Sequence, residues 1–195
     1  MANWYTADLH IGHKMVAAIR GFETVEKHDD KLRSEWSRLA GENDTVYVLG
    51  DIAVGRHDDA LAFIDSLPGV KHLVAGNHDP VHPMHMSTYA RMLPKFLQVF
   101  KAVSPFLRRK VDGHEFLLSH FPYVEWADGP ERDPRPKYDQ YRLPDLGLPL
   151  LHGHTHGTEK RHGRSFHVGV DAWGMKLVNE RVVLDWLREL PPYEK

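Results

Sequence analysis

The sequence predicts an α/β fold, and three observations carry that reading. Short apolar, β-branched runs recur along the chain, and each stops in a polar cluster, as buried strands ending at turns do. Between the early runs lie stretches with apolar residues on one helical face. Strands alternating with amphipathic helices are the pattern of an α/β domain. With 195 residues, 42% hydrophobic and 27% charged, the chain has the size and composition of one globular unit, so residues 1–195 are expected to form a single domain.

The first run is "NWYTADLH", Asn3 to His10. A helical stretch follows from Lys27 to Ala40, with Leu32, Trp36, Leu39 and Ala40 on one face. "TVYVLGD", Thr45 to Asp51, reads as a buried strand that stops at Gly50. Asp58 to Leu67 is helical again through Leu61, Ile64 and Leu67, and "VKHLVAGNHD", Val70 to Asp79, repeats the strand and its polar end. Past Ala102 two strand-like runs flank Asp112-Gly113, a pair favoured in tight hairpins, and the second run, "EFLLSHFP", carries His120. Residues 127–148, rich in proline and poor in apolar side chains, predict irregular surface chain. "LPLLHGHTH" is the fifth strand with a polar end, and "RSFHVGVDAWG" and "ERVVLDWL" read as further strands. The first half therefore reads as β/α units and the second as largely antiparallel β.

Composition excludes several classes. Cysteine is absent, which removes disulfides, thiolate nucleophiles and sulfur-rich zinc sites, so any metal is held by nitrogen and oxygen. A net charge of −2 argues against non-specific coating of nucleic acid. No apolar run approaches the roughly 20 residues of a membrane span. "MANWYTADLH" has no secretory pattern, so a cytoplasmic protein is expected. The anomaly is 15 histidines.

The polar clusters at the strand ends contain Asp8 and His10, Asp51, Asn77 and His78, His120, and His154 with His156. Carboxylates, imidazoles and a side-chain amide are good ligands for divalent metals. In extended chain, residues two apart face the same way, so Asp8 with His10, and His154 with His156, can each present a pair. Gly50, Gly76 and Gly153 permit sharp turns beside them. Open α/β sheets collect their ligands at the carboxyl ends of strands.

Asp-x-His, Gly-Asp, Gly-Asn-His-Asp, a lone His and Gly-His-x-His, in that order after apolar strands, resemble the calcineurin-like metallophosphoesterase superfamily. The blocks run from Asp8 to His156, and "DLHIGHKMV", "DTVYVLGDIAVG" and "LPGVKHLVAGNHD" look like its small single-domain bacterial and phage members. The resemblance implies a four-layer α/β sandwich, two packed mixed β-sheets flanked by helices. It implies two divalent metal ions, manganese first, with iron, zinc, nickel or cobalt as alternatives. Asp8, His10 and His156 would hold one ion, Asn77, His120 and His154 the other, and Asp51 would bridge them. His78 would face the substrate and, with Asp51, form the catalytic pair. The implied reaction is phosphoester hydrolysis by a hydroxide bridging the ions, with His78 assisting the leaving oxygen. Phosphodiesters lead, including cyclic nucleotides and above all strained 2′,3′-cyclic ones. A phosphomonoesterase, a nuclease with the same site, and a non-catalytic scaffold are the alternatives. The expected partner is a small phosphoester or nucleotide, and the expected state a monomer or homodimer, in the host cytoplasm if phage-encoded.

One departure stands out. Many members carry a second Asp three residues after the bridging one, which orients the catalytic His; here Val54 occupies that position. Either Asp79 or a residue elsewhere orients His78, or its imidazole is less constrained.

Substrate contacts are expected from His13, Arg20, Arg135 and Arg142, the last two in the 127–148 loop with Arg132 and Lys137, which is read as a substrate lid. For His13 the alternative is a solvated helix start. Tyr123, Trp126 and Tyr138 are expected to pack against the body, with base stacking as the alternative. His152 matches no ligand position and is read as supporting or structural. His167 reads as a packed or half-exposed strand residue, with a supporting hydrogen bond to the site as the alternative. His28, His57, His72, His82, His85, His114 and His162 have no companions in the sequence and are assigned no role.

Overall fold

The computed structural model describes residues 1–124 and 138–191. The described strands are β1 Asn3–Thr6, β2 Thr45–Val48, β3 Val70–Val74, β4 Ala102–Ser104, β5 Phe106–Val111, β6 His114–Ser119, β7 Leu150–His152, β8 Arg161–His162, β9 Ser165–His167 and β10 Val178–Asn179. The helices are α1 Lys14–Ile19, α2 Val25–Leu39, α3 His57–Asp65, α4 Tyr89–Phe96 and α5 Glu180–Glu189. No helix among the described residues is long and apolar enough to cross a membrane.

Two five-stranded mixed sheets with flanking helices make the α/β sandwich that the resemblance implies. The first sheet has the order β10-β1-β2-β3-β4, with β1 to β4 parallel and β10 antiparallel on the edge. Parallel neighbours need crossovers, and the helices between them supply these. Val46, Val48 and Leu73 of this sheet pack against Leu32 and Trp36 of α2, Ile64 of α3 and Phe96 of α4. The opposite face turns Tyr5 and Val74 toward Phe116, Leu118, Leu151 and Phe166 of the second sheet. Each such fully buried side chain contributes roughly 1.5–3 kcal/mol.

The second sheet has the order β5-β6-β7-β9-β8. Its β5–β6 hairpin turns at Asp112 and Gly113, both left-handed at φ 48° and 82°, as a tight two-residue turn requires. The expectation of largely antiparallel pairing is corrected here. β6–β7 and β7–β9 are parallel, and only the outer pairs are antiparallel.

The strand reading of "ERVVLDWL" is also corrected, because this segment is α5. Val183, Leu184, Trp186 and Leu187 are all buried, a spacing of one, three and four that only a helix turns to one side. Asn179 caps it by accepting the Arg181 N–H. In "RSFHVGVDAWG" only Ser165–His167 forms a strand; Val170–Trp173 is a 3₁₀ turn.

Candidate metal centre

The five polar clusters meet at the seam between the two sheets. Parallel pairing of β1 and β2 continues past the strands, where Asp8 N–H donates to Gly50 O at 3.0 Å and His10 N–H to Asp51 O at 3.1 Å. From the second sheet, Gly153 N–H donates to His120 O at 3.0 Å, and His154 N–H donates to both Asp8 carboxylate oxygens at 3.0 Å. The expectation that extended backbone pairs these residues is corrected. Asp8, His10, Asp51, His154 and His156 all take left-handed conformations, with φ of 60°, 48°, 56°, 73° and 52°. Each costs on the order of 1–3 kcal/mol in a non-glycine residue, a strain that clusters at functional sites.

Glycine is required beside them. Gly50 has φ +84°, and a Cβ there would lie 2.6 Å from Gly76 Cα and from His120 Nδ1. Any larger residue would push Asp51 and His120 apart.

Two groups of ligand atoms result. Asp8, His10 and His156 form one, and Asp8, Asp51 and His120 the other, each with its atoms within 4.8 Å of one another. His10 Nε2 faces His156 Nε2 at 3.1 Å. His120 Nε2 lies 3.0 Å from Asn77 Oδ1 and 3.2 Å from His154 Nδ1, which adds both residues to the second group. Asp51 Oδ2 stands between the groups, 3.4 Å from His120 Nε2 and 4.0 Å from His10 Nε2. His78 Nε2 lies 3.9 Å from the same oxygen, and its side chain is 41% exposed, unlike the buried residues around it.

Electrostatics favour a cation here. Burial would raise Asp8, but the nearby imidazoles of His167, His156 and His120 hold it well below the usual carboxylate range. Burial likewise opposes ionisation of Asp51, and His120 more than offsets it. His10 is pushed by burial down to about 3 and stays neutral. Burial depresses His120 as well, yet Asp51 and Asp8 carry it up to about 9. Ionised, buried carboxylates beside imidazole nitrogens are a donor set that fits divalent cations, since buried charge without a partner is costly.

A supporting network fixes which nitrogen each histidine presents. His120 Nδ1 donates to Leu49 O at 2.8 Å, leaving Nε2 for the centre. His156 Nδ1 donates to Asp171 Oδ2 at 3.0 Å, again leaving Nε2. Asp171 is gripped in turn by Arg20, Nε to Oδ1 at 2.8 Å and Nη2 to Oδ2 at 2.7 Å. Burial pushes Asp171 up, but His156 and Arg20 hold it at about 2. Arg20 also donates to Asp8 O, Leu9 O and His28 Nε2, and His28 Nδ1 donates to Asp29. Asp79 accepts from Asp51 N–H, Ile52 N–H and Gly76 N–H at 2.9, 3.1 and 2.8 Å. Burial and the Asp51 charge raise Asp79 to about 7, against the pull of these amide donors.

Several expectations change accordingly. The Arg20 guanidinium, expected to meet substrate, is taken up by Asp171 and by the carbonyls of Asp8 and Leu9. Arg142 has a side chain only 2% exposed, its Nε 3.3 Å from Asp139 and its Nη1 donating to Tyr123 O at 3.5 Å. His13 caps α1, its Nδ1 accepting the Val16 N–H at 3.1 Å, with its ring 6.0 Å from that of His10. It starts the helix, and its other edge stays near the centre.

Arg132, Arg135, Lys137, Trp126 and residues 127–137 of the expected lid lie outside the described residues. Of the rest of that loop, the two ends are packed and Leu146 is exposed: Tyr123 Oη donates to Leu148 O at 2.6 Å, and the Tyr138 ring lies 5.3 Å from both Phe121 and His154. His152 is fully buried and stacks on His167 at 5.2 Å, and His167 Nε2 lies 3.8 Å from Asp8. Asp79 is excluded as the group that orients the His78 ring, since its carboxylate faces backbone amides. Asp171 is the residue that sequence reasoning missed. Its one signal is a carboxylate inside the apolar run "HVGVDAWG", which must find a partner once buried.

Over 202 residues, covering 96% of this chain and 94% of the relative, the sequence is 40% identical to the gene 66 protein of Mycobacterium phage L5. The chain belongs to the mycobacteriophage gene 66 protein family. A second gene 66 protein, from Mycobacterium phage D29, is 39% identical over 199 residues and covers the same shares, 96% and 94%. No family model matches the chain. Among solved structures, a protein of unknown function from Aquifex aeolicus shares the fold at a TM-score of 0.70 and 20% identity, with 95% of this chain and 98% of that one covered.

Proposed function

We propose that this gene 66 family member is a metal-dependent phosphoester hydrolase of the calcineurin-like metallophosphoesterase type, acting on phosphodiesters. The observation that carries the reading is the convergence of Asp8, His10, Asp51, Asn77, His120, His154 and His156 at one seam, with a half-exposed His78 3.9 Å from Asp51. Asp8, His10 and His156 would hold one divalent ion, and Asn77, His120 and His154 a second, with Asp51 shared. Manganese is the first candidate among metals that suit nitrogen and oxygen ligands. When bound, such ions neutralise phosphoryl oxygens and make water acidic enough to ionise near neutral pH.

The chain's own residues supply the rest. Asp171 and Leu49 O fix the ring nitrogens that His156 and His120 present. His78 is open to solvent on one side and so can meet a bound ester. Burial lowers its pKa, and an imidazole that gives up its proton readily suits donation to a leaving alkoxide. Diesters are the first substrates to test, and strained 2′,3′-cyclic nucleotides lead among them because ring strain already lowers their barrier. The host cytoplasm is taken as the place of action, in keeping with the phage origin of the relatives.

The test is metal-stripped protein with Mn²⁺ restored, assayed on bis(p-nitrophenyl) phosphate and p-nitrophenyl phosphate. We expect faster diester cleavage, and His78→Ala to lower turnover roughly 10²–10⁴-fold while Mn²⁺ still binds. Faster monoester cleavage would make the protein a phosphomonoesterase. Hydrolysis of neither ester with any divalent metal would leave a scaffold, and loss of Mn²⁺ binding in His78→Ala would refute the split between ligands and proton donor.

A further inference from the structure

The turn that carries Asn77 and His78 is held from outside by two imidazoles. His85 Nε2 donates to Asn77 O at 2.8 Å, and His57 Nε2 donates to His78 O at 3.0 Å. On its other side, the His78 N–H donates to Asp51 Oδ1 at 2.9 Å. Both backbone polar groups of His78 are therefore fixed. Its ring is not: among the described residues no side chain hydrogen-bonds to it, and the nearest carboxylate oxygen, on Asp51, is 3.9 Å away. Val54 offers it no polar atom, and Asp79 is committed to backbone amides.

His57 is brought to its place by unusual backbone. Gly55 and Arg56 are both left-handed, at φ 67° and 43°, and α3 begins immediately afterwards with His57 as its first residue. Arg56 is a non-glycine residue in a strained conformation, with no side-chain capping bond in return. Strain of this kind persists where the surroundings demand a particular placement. The placement gained is that of His57, whose ring sits 6.3 Å from Phe96 of α4, while Asp58 and Lys95 join the two helices through bonds of 2.7 and 2.8 Å.

We infer that His57 is a positioning residue for His78: by holding the His78 carbonyl it aims a ring that no described side chain hydrogen-bonds and that meets the His10 ring edge-on at 5.7 Å. With N–H and C=O both anchored, the imidazole is left with only its χ1 and χ2 rotamers. Reacting groups misplaced by 1 Å can lose about 10²-fold in rate, so loss of one anchor should be felt in turnover. His85 braces Asn77 separately, so removing His57 leaves the metal ligands in place. The function of the brace rests on the phosphoesterase reading, but its geometry does not.

The test compares His57→Ala with His57→Gln, whose amide restores a donor at the same reach, in folded protein checked by circular dichroism. With bis(p-nitrophenyl) phosphate and Mn²⁺, His57→Ala should lose about tenfold in kcat, the worth of one hydrogen bond. KM and Mn²⁺ affinity should be unchanged, and His57→Gln should keep most of the rate. In zinc-loaded protein with ¹³C-labelled histidine, the His78 ring signal should broaden or shift in His57→Ala and not in His57→Gln. Wild-type kcat in His57→Ala, equal losses in both variants, or an unmoved His78 signal would overturn the inference. If the wild type cleaves no ester, the phosphoesterase reading falls and the His78 ring signal alone decides whether His57 aims it.

Discussion

Asp171 never reaches the seam itself, yet it determines which nitrogen of His156 does. Replacing it with Asn keeps an acceptor for the His156 N–H but breaks the paired grip of Arg20. Partners of this kind are typically worth 10–100-fold in metal affinity. Asp171→Asn should therefore bind Mn²⁺ about 10–100-fold more weakly by titration calorimetry, and unchanged affinity would reduce the contact to packing. That Asp8, His10, Asp51, Asn77, His78, His120, His154 and His156 come together was legible because strand ends put them in ordered motifs. Asp171 was not, because it lies 15 residues from His156 and 151 from Arg20, and no local spacing encodes such partners. The partners of Arg20 and Arg142 were hidden for the same reason. A cation in a sequence looks available for substrate until its partners are known.

Among elements, α2 was readable almost to its ends. Its apolar face repeats with helical period, and Thr24 caps it by accepting the Lys27 N–H at 3.2 Å. On its polar side Glu35 accepts from Lys31 and Arg38, both at 2.6 Å, which lowers its pKa from 4.5 to about 2. A depressed carboxylate stabilises the fold above its unfolded pKa and loses that contribution as pH falls through the folded one. Wild-type stability should thus decline between about pH 4.5 and 2 more steeply than that of Glu35→Gln, read by urea unfolding at each pH. The exposed Lys31 and Arg38 heads keep the difference small, about 0.5 kcal/mol. Helix α5 was misread because Val182-Val183 suits a strand, while the decisive fact, burial of Trp186 and Leu187 against the same core, is tertiary. Helix α4 went unread because Pro94 lies inside it, where proline ordinarily argues against a helix.

At the scale of the molecule, the alternation of strands and helices gave the α/β class, and the resemblance gave the sandwich. Pairing in the second sheet could not be read, because parallel and antiparallel strands of this length share one apolar pattern. The finished seam holds Asp8 and Asp51 close enough that the Asp8 charge opposes ionisation of Asp51. A cation that relieves this repulsion should stabilise the whole fold. At a Mn²⁺ concentration of 100 times Kd the gain is about 2.7 kcal/mol, which for a chain of this size raises Tm by about 5–10 °C in scanning calorimetry. A chelator should reverse the rise, and Asp51→Asn should diminish it.

The position of that seam also ties competence to the history of the chain. The first sheet's strands deliver Asp8, His10, Asp51, Asn77 and His78, whereas His120, His154 and His156 arrive only with the second. A nascent polypeptide that has completed only its β/α half exposes an unfinished ring of donors. The backbone strain at Asp8, His10 and Asp51 then lacks the packing that would sustain it. In this protein the cluster of donors cannot precede the architecture: it comes into being in the same event that docks one sheet upon the other.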